Sequence, residues 1–238
     1  MRLFCSAGQP SVRILHTFVV AHDVDQVRIK EIALRIPHSL GDGVRRFGTD
    51  SGPVVETQRP DARLAHRDPS HWTISAGTEA VATGAHSPGW GAALSPDRRR
   101  GLLVAVRNFW EEAPKALTMG GREARVSLWH GDNDERLSFR RYSPVLQREE
   151  YEGIYSDGLG VAKTTEIHLS FWSGEDGGDS VAAAADALLK PLHVRVPPAW
   201  YDRCEVAGGG LAPADAASHP REEQMMAELL AWMERHVG

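Results

Sequence analysis

Apolar and polar residues alternate through much of the chain. Val12, Ile14, His16 and Phe18 take one side of a period-two pattern, and Arg13, Leu15, Thr17 and Val19 the other. The pattern opens after the turn residues Gly8, Gln9 and Pro10. A second run, Val27 to Ile36, ends at Pro37, and Gly41-Asp42-Gly43 marks a turn. His71 to Ile74 and Glu79 to Thr83 suit a hairpin around Gly77. Trp90 to Leu94, Leu102 to Val106, Arg125 to Trp129 and Val161 to Trp172 complete the strand-like runs. Many such runs separated by Gly and Pro predict a mainly β fold, a large antiparallel β-sandwich with a short C-terminal helical segment.

Helical patterning comes late. Asn108 to Leu117 reads as a short turn or helix broken at Pro114. Asp179-Ser180 predicts an N-cap for an alanine-rich helix over Val181 to Leu189, stopped before Pro191. Pro220 suits a first helical position, and Glu222 and Glu223 follow where the helix dipole favours anions. Met226, Leu229, Leu230, Met233 and Val237 then share one helical face. The domain reading is a sandwich over 1–200, a linker over 201–218 containing Gly208-Gly209-Gly210, and an amphipathic helix over 219–238. The apolar stripe predicts self-association through that helix unless it folds back on the sheet.

Composition narrows the class. The 238 residues hold 27 Lys plus Arg against 32 Asp plus Glu, a net charge of −5. Nucleic-acid binders carry a basic excess, so none is expected as partner. No apolar stretch reaches the roughly 18–20 residues of a membrane-spanning helix, so no membrane partner is expected either. Cys5 and Cys204 are far apart and in no metal-ligand spacing. Met1-Arg2-Leu3-Phe4-Cys5 lacks the apolar core of a secretory leader and reads as the inside of a strand. The expectation is a chain with more sequence upstream, or a cytoplasmic one if complete.

Three blocks together carry a resemblance. Arg100-Gly101-Leu102-Leu103-Val104-Ala105-Val106-Arg107-Asn108-Phe109-Trp110 runs into Ala113-Pro114-Lys115-Ala116-Leu117. Val126-Ser127-Leu128-Trp129 follows, then Gly160-Val161-Ala162-Lys163-Thr164-Thr165-Glu166-Ile167-His168-Leu169. In order and wording these resemble the central β-sandwich domain of the exo-rhamnogalacturonan lyase family and its uncharacterised bacterial relatives. The opening Ala7-Gly8 to Thr17-Phe18 segment resembles the entry to that domain. The resemblance covers about residues 1–200. It implies a polysaccharide partner of pectic type, and β-elimination at uronate-containing chains in the full-length family. It also implies a fragment that lacks the family's N-terminal barrel and all but the first helix of its α/α toroid, inactive alone. The alternative is a non-catalytic carbohydrate-binding or structural sandwich.

Elimination next to a uronate needs a cation at the carboxylate and a base at the C5 proton. The substrate-binding candidates are Arg107, Trp110, Lys163, Glu166 and His168; no catalytic residue is assigned. Strand alternation sets Thr164, Glu166 and His168 on one face and Lys163, Thr165, Ile167 and Leu169 on the other. The plain alternative is the polar outer face of a half-buried strand, with Glu166 and His168 as a stabilising pair. Aromatic faces stack on sugars and guanidinium forks grip carboxylates, which brings in Trp110, Trp129 and Arg107. Against that, Phe109 and Trp129 read as core, since large aromatics are usually buried, Arg107 as the partner of Glu111 or Glu112, and Lys115 as a solvated lysine. The eleven histidines never take a zinc spacing. Asp132-Asn133-Asp134 lacks the Gly and Glu of a calcium loop and reads, with Asp176, as solvated turn. No metal or other cofactor is evident.

Overall fold

The computed structural model describes residues 1–22, 27, 29–50, 53–131, 159–174, 180–190, 192, 194–204 and 213–237. The chain divides into two compact units, Met1–Pro191 and Leu192–Gly238. Asp132-Asn133-Asp134, Asp176 and Asp179 lie outside the described residues.

The first unit is a pair of antiparallel sheets. One has seven strands: β1 (Arg2–Cys5), β2 (Ser11–Val19), β13 (Ala162–Ser173), β10 (Arg100–Val106), β9 (Trp90–Leu94), β4 (Arg45–Phe47) and β5 (Val55–Thr57), in that order. The other has six: β3 (Ile32–Pro37), β12 (Glu123–Trp129), β11 (Lys115–Met119), β6 (Ala62–Asp68), β7 (His71–Ala76) and β8 (Glu79–Gly84). Ile14, Phe47, Val104, Val106, Ile167 and Leu169 from the first sheet meet Leu64, Ile74, Leu117, Met119 and Val126 from the second in one core. The expected mainly β, antiparallel sandwich is what forms. The hairpin around Gly77 is β7–β8, with Gly77 at φ 64°.

The seven-stranded sheet is covered on both faces at its centre. Every residue of β9 and all but Arg100 of β10 are buried. The second face carries Trp90, Ala92, Leu94, Leu103 and Ala105, on which Val181 and Ala185 of helix α1 (Val181–Leu189) are buried. An Ala-rich helix suits this place, because small side chains let its axis approach the sheet. Gly101 is required opposite Trp172, since a Cβ there would enter the indole that joins this second core. Ser180 holds the N-cap position of α1 but makes no side-chain capping bond, contrary to the expected cap.

Other segments also depart from expectation. Residues from Lys115 onward form β11 rather than the end of a turn or helix; the cis Ala113–Pro114 peptide precedes it. Lys115 is not solvated but buried. In the second unit a short helix, α2 (Pro198–Cys204), was not anticipated, and α3 (Pro220–Val237) begins at the expected proline with Glu222 and Glu223 in its first turn. On α3, Met226, Leu229, Leu230 and Met233 are exposed, as are Met225 and Trp232; the side chain of Val237 lies outside the described residues. Cys5 and Cys204 are exposed free thiols.

Arg45 joins the two sheets from inside. It is fully buried, and its Nε donates to the Met119 carbonyl of β11 at 2.9 Å. Nη2 donates to Gly41 O at 2.8 Å and Nη1 to Val44 O at 3.2 Å. A buried guanidinium is tolerated when carbonyls absorb its protons. Arg45→Met removes these hydrogen bonds and leaves the strand-joining Met119 contact unmade. It should lower the unfolding free energy by about 2–4 kcal/mol, read from a denaturant midpoint, with Arg45→Lys recovering only part because an ammonium cannot span the same acceptors. Val181→Asp should likewise release α1 and expose the Trp90 face, raising hydrophobic-dye binding and lowering thermal stability. A variant as stable as the parent would show that α1 contributes nothing to the sheet.

Candidate functional site

The site residues collect where β13 runs between β2 and β10. Period-two geometry turns Ile167 and Leu169 into the core and leaves Glu166 and His168 on the opposite face. The register sets Arg13 of β2 across from His168, and Arg107, just past β10, donates its backbone N–H to Glu166 O at 3.0 Å. These pairings bring three donors to one carboxylate. Glu166 Oε1 lies 3.0 Å from Arg13 Nε and 2.9 Å from His168 Nε2, and Oε2 lies 3.2 Å from Arg107 Nη1. The carboxylate has only acceptor oxygens when ionised, so His168 Nε2 carries the proton of that contact.

Burial lowers the pKa of His168 from its ordinary value, and the neighbouring Glu166 charge and hydrogen bond oppose it. The imidazole is therefore mostly neutral at pH 7, with Nε2–H on the carboxylate and Nδ1 as its basic nitrogen. The side chains of Glu166 and His168 are 17% and 12% exposed, so the pair sits at the margin of the covered sheet, not in open water. Arg13 is the outermost member and lies over the Phe4 ring at 5.1 Å.

A second cluster lies at the turn between β10 and β11. The segment after β10 turns at Asn108, whose φ is 52°, and sends Phe109 into the core. Gly89, at φ 80°, faces Phe109 so closely that any side chain would collide with it. Lys115 is buried and donates to Asn108 O at 2.9 Å and to Glu112 Oε2 at 2.6 Å. Lys163 reaches the same Glu112 oxygen at 3.2 Å. Burial alone would raise the Glu112 carboxyl, but Lys115 and Lys163 hold it below its usual value. Burial lowers the Lys115 ammonium, with Glu112 opposing. Trp110 is half-buried and stacks against His86 at 4.3 Å between ring centroids and a tilt of 33°.

Of the five candidates read from sequence, Arg107, Glu166 and His168 come together, Lys163 joins Glu112 and Lys115, and Trp110 pairs with His86. Arg107 thus meets Glu166 rather than Glu111 or Glu112. Phe109 is core, and Trp129 is half-buried. Arg13, His86 and Glu112 were missed as site members. Arg13 had a signal, its outward place in the β2 alternation, but only the β2–β13 register names its partner. Among the described residues, no three His, Cys, Asp or Glu side chains are grouped to hold a metal ion.

His16, His38, His66 and His168 all have pKa values lowered from 6.5, in each case chiefly by burial. In the unfolded chain they take up protons near that value, while the fold resists. The unfolded state then binds more protons, so stability is full above about pH 7 and falls as pH drops through 6.5 toward 5. Thermal melts across that window should show the loss. Glu166→Gln removes the charge that raises His168. The His168 titration, followed by NMR, should move further down, and stability at pH 7.5 should fall by about 1–3 kcal/mol as Arg13 and Arg107 lose their acceptor.

No protein-family model matches the chain. Over 148 residues, 58% of this chain, it is 26% identical to the protein titled "Uncharacterized protein YetA" of Bacillus subtilis (strain 168), and the matched stretch spans 17% of that protein's length.

Proposed function

We propose that this chain is a β-sandwich module of a larger, exo-rhamnogalacturonan-lyase-like polysaccharide-active protein, and that the module contacts the acidic sugar chain without itself carrying out the elimination. The observation that carries this reading is the state of Glu166. Both its oxygens are engaged, by Arg13, His168 and Arg107, and one oxygen of Glu112, Oε2, is shared by Lys115 and Lys163. A base for C5 proton abstraction needs a free lone pair within reach of the substrate. Three donors crowd Glu166 and two ammonium groups share Glu112 Oε2, so both carboxylates are committed chiefly to these partners; His168 Nδ1 is the basic atom left in the cluster, and His168→Ala below tests it. The segments that carry the family resemblance include β2, β10, the turn after it, β11 and β13, which are the elements that build both clusters. The match to a relative several times longer agrees with a module rather than a whole enzyme.

Sugar contact falls to Trp110, half-buried on the turn after β10, with Lys163 and the cations around Glu166 nearby in sequence and strand order. An aromatic face on a loop held by a rigid sheet is a common way to seat a pyranose ring. Purified chain titrated with rhamnogalacturonan oligosaccharides should show a change in tryptophan fluorescence that is lost in Trp110→Ala. The same mixtures should show no rise in ultraviolet absorbance from an unsaturated uronate product. A rise that disappears in His168→Ala would overturn the non-catalytic reading; absence of binding to any acidic oligosaccharide would overturn the sugar-contact reading.

A further inference from the structure

The outer face of the six-stranded sheet carries a second polar constellation, remote in strand order from the Glu166 cluster. On β12 Arg125 is in register with Arg35 of β3 on one side and Thr118 of β11 on the other, and Thr118 is in register with Arg63 of β6. Leu34, Leu117, Val126 and Leu64 point into the core, so alternation sends this row outward. Three arginines thus lie in one line across four strands. Like charges side by side on a sheet are unfavourable unless compensated. Arg35 has its own in Glu123, at 2.8 and 2.9 Å.

The segment before β3 folds over this face. Glu31 accepts from Arg125 Nη2 and from Ser127 Oγ, the latter at 3.2 Å. Between that segment and the sheet lies an open groove of about 700 Å³, with Arg63, Thr118, Arg125 and Ser127 at its floor and Lys30 and Glu31 along its side. Arg125 spends Nη2 on Glu31, yet its Nε is buried and has no hydrogen-bond acceptor among the described residues. A guanidinium donor left over in a groove fits a ligand oxygen, because an unmet buried donor is costly.

We propose that this groove binds a uronate unit of an acidic oligosaccharide, its carboxylate held by Arg125 and Arg63 and its hydroxyls by Thr118 and the groove's polar side. Strands two apart are separated by about 10 Å, so Arg63 and Arg125 flank the Thr118 hydroxyl and face a ligand from both sides. A guanidinium fork matches a carboxylate in shape as well as charge. The groove volume falls in the ordinary range for small ligands, roughly 300–1,000 Å³. Among the described residues no aromatic side chain other than the His130 imidazole lines the groove, so a ligand read by its oxygens suits it better than a stacked base. The sugar identity rests on the reading of the chain as a polysaccharide module; the oxyanion chemistry rests on the groove.

The test is calorimetric titration of the chain with trigalacturonate, with a neutral galactose trimer and with inorganic phosphate. Trigalacturonate should bind, and the neutral trimer should not. Arg63→Gln should weaken binding about tenfold, the loss of one charge-assisted contact. Arg125→Lys keeps the charge and the reach to Glu31 but lacks the Nε donor, and should weaken binding by a similar factor with thermal stability unchanged. Binding that stays within twofold in both variants while Trp110→Ala abolishes it overturns the groove and leaves the module reading intact. Phosphate binding as tightly as trigalacturonate, with the same sensitivity to Arg63→Gln, overturns the sugar assignment in favour of a general oxyanion site. No binding of any of the three overturns the groove outright.

Discussion

The centre of the seven-stranded sheet is buried on both faces, and much else follows from that constraint. A strand in this position cannot alternate apolar with polar, and Leu102-Leu103-Val104-Ala105-Val106 does not. The inner half of the run meets the six-stranded sheet. The outer half needs a cover, which α1 provides with two small buried side chains. That cover reaches only part of the sheet. Toward β13 and β2 the outer face changes from Trp172 to His168 and Glu166, and the first polar side chains appear at the edge of an apolar surface. There they are dry enough for burial to depress His168 and close enough for the arginines to gather on Glu166.

The two clusters share an economy of charge. Glu166 and Glu112 each sit in partly buried surroundings, and each is surrounded by more cation than anion. Leaving either carboxylate alone at that depth would be costly, and leaving the lysine or arginines alone would be as costly. Satisfied in this way, the clusters hold the turn after β10, β11 and β13 in fixed relation.

Much of the fold was legible in the residues. The hairpin at Gly77, the long β13 and the helix opening at Pro220 each carry local signals, because turn chemistry, alternation and helix-start preferences act within a few residues. Strand β6, Ala62–Asp68, was not legible: its inward residues are Ala62, Leu64 and His66, and an alternation built on one alanine and one histidine has little contrast. His66 is buried because its Nδ1 donates to Asp68 O at 3.0 Å while Nε2 accepts the Ser87 N–H at 3.1 Å, a fit that depends on a loop 21 residues away. Lys115 misled for the same reason. A lysine beside a proline reads as solvent-facing until Glu112 and the Asn108 carbonyl are brought over it.

From the residues alone came the mainly β class, the antiparallel sandwich, the late helices and the shared face of Glu166 and His168, all of which depend on periods of two or 3.6 along the backbone. Tertiary structure decided what those faces meet. Strand register chose Arg13 and Arg107 as the partners of Glu166, lined up Arg35, Arg125, Thr118 and Arg63 across the other sheet, and threaded Arg45 through the core to the Met119 carbonyl. Register is set by long-range burial and by hydrogen bonds between strands distant in sequence, and no local pattern encodes it.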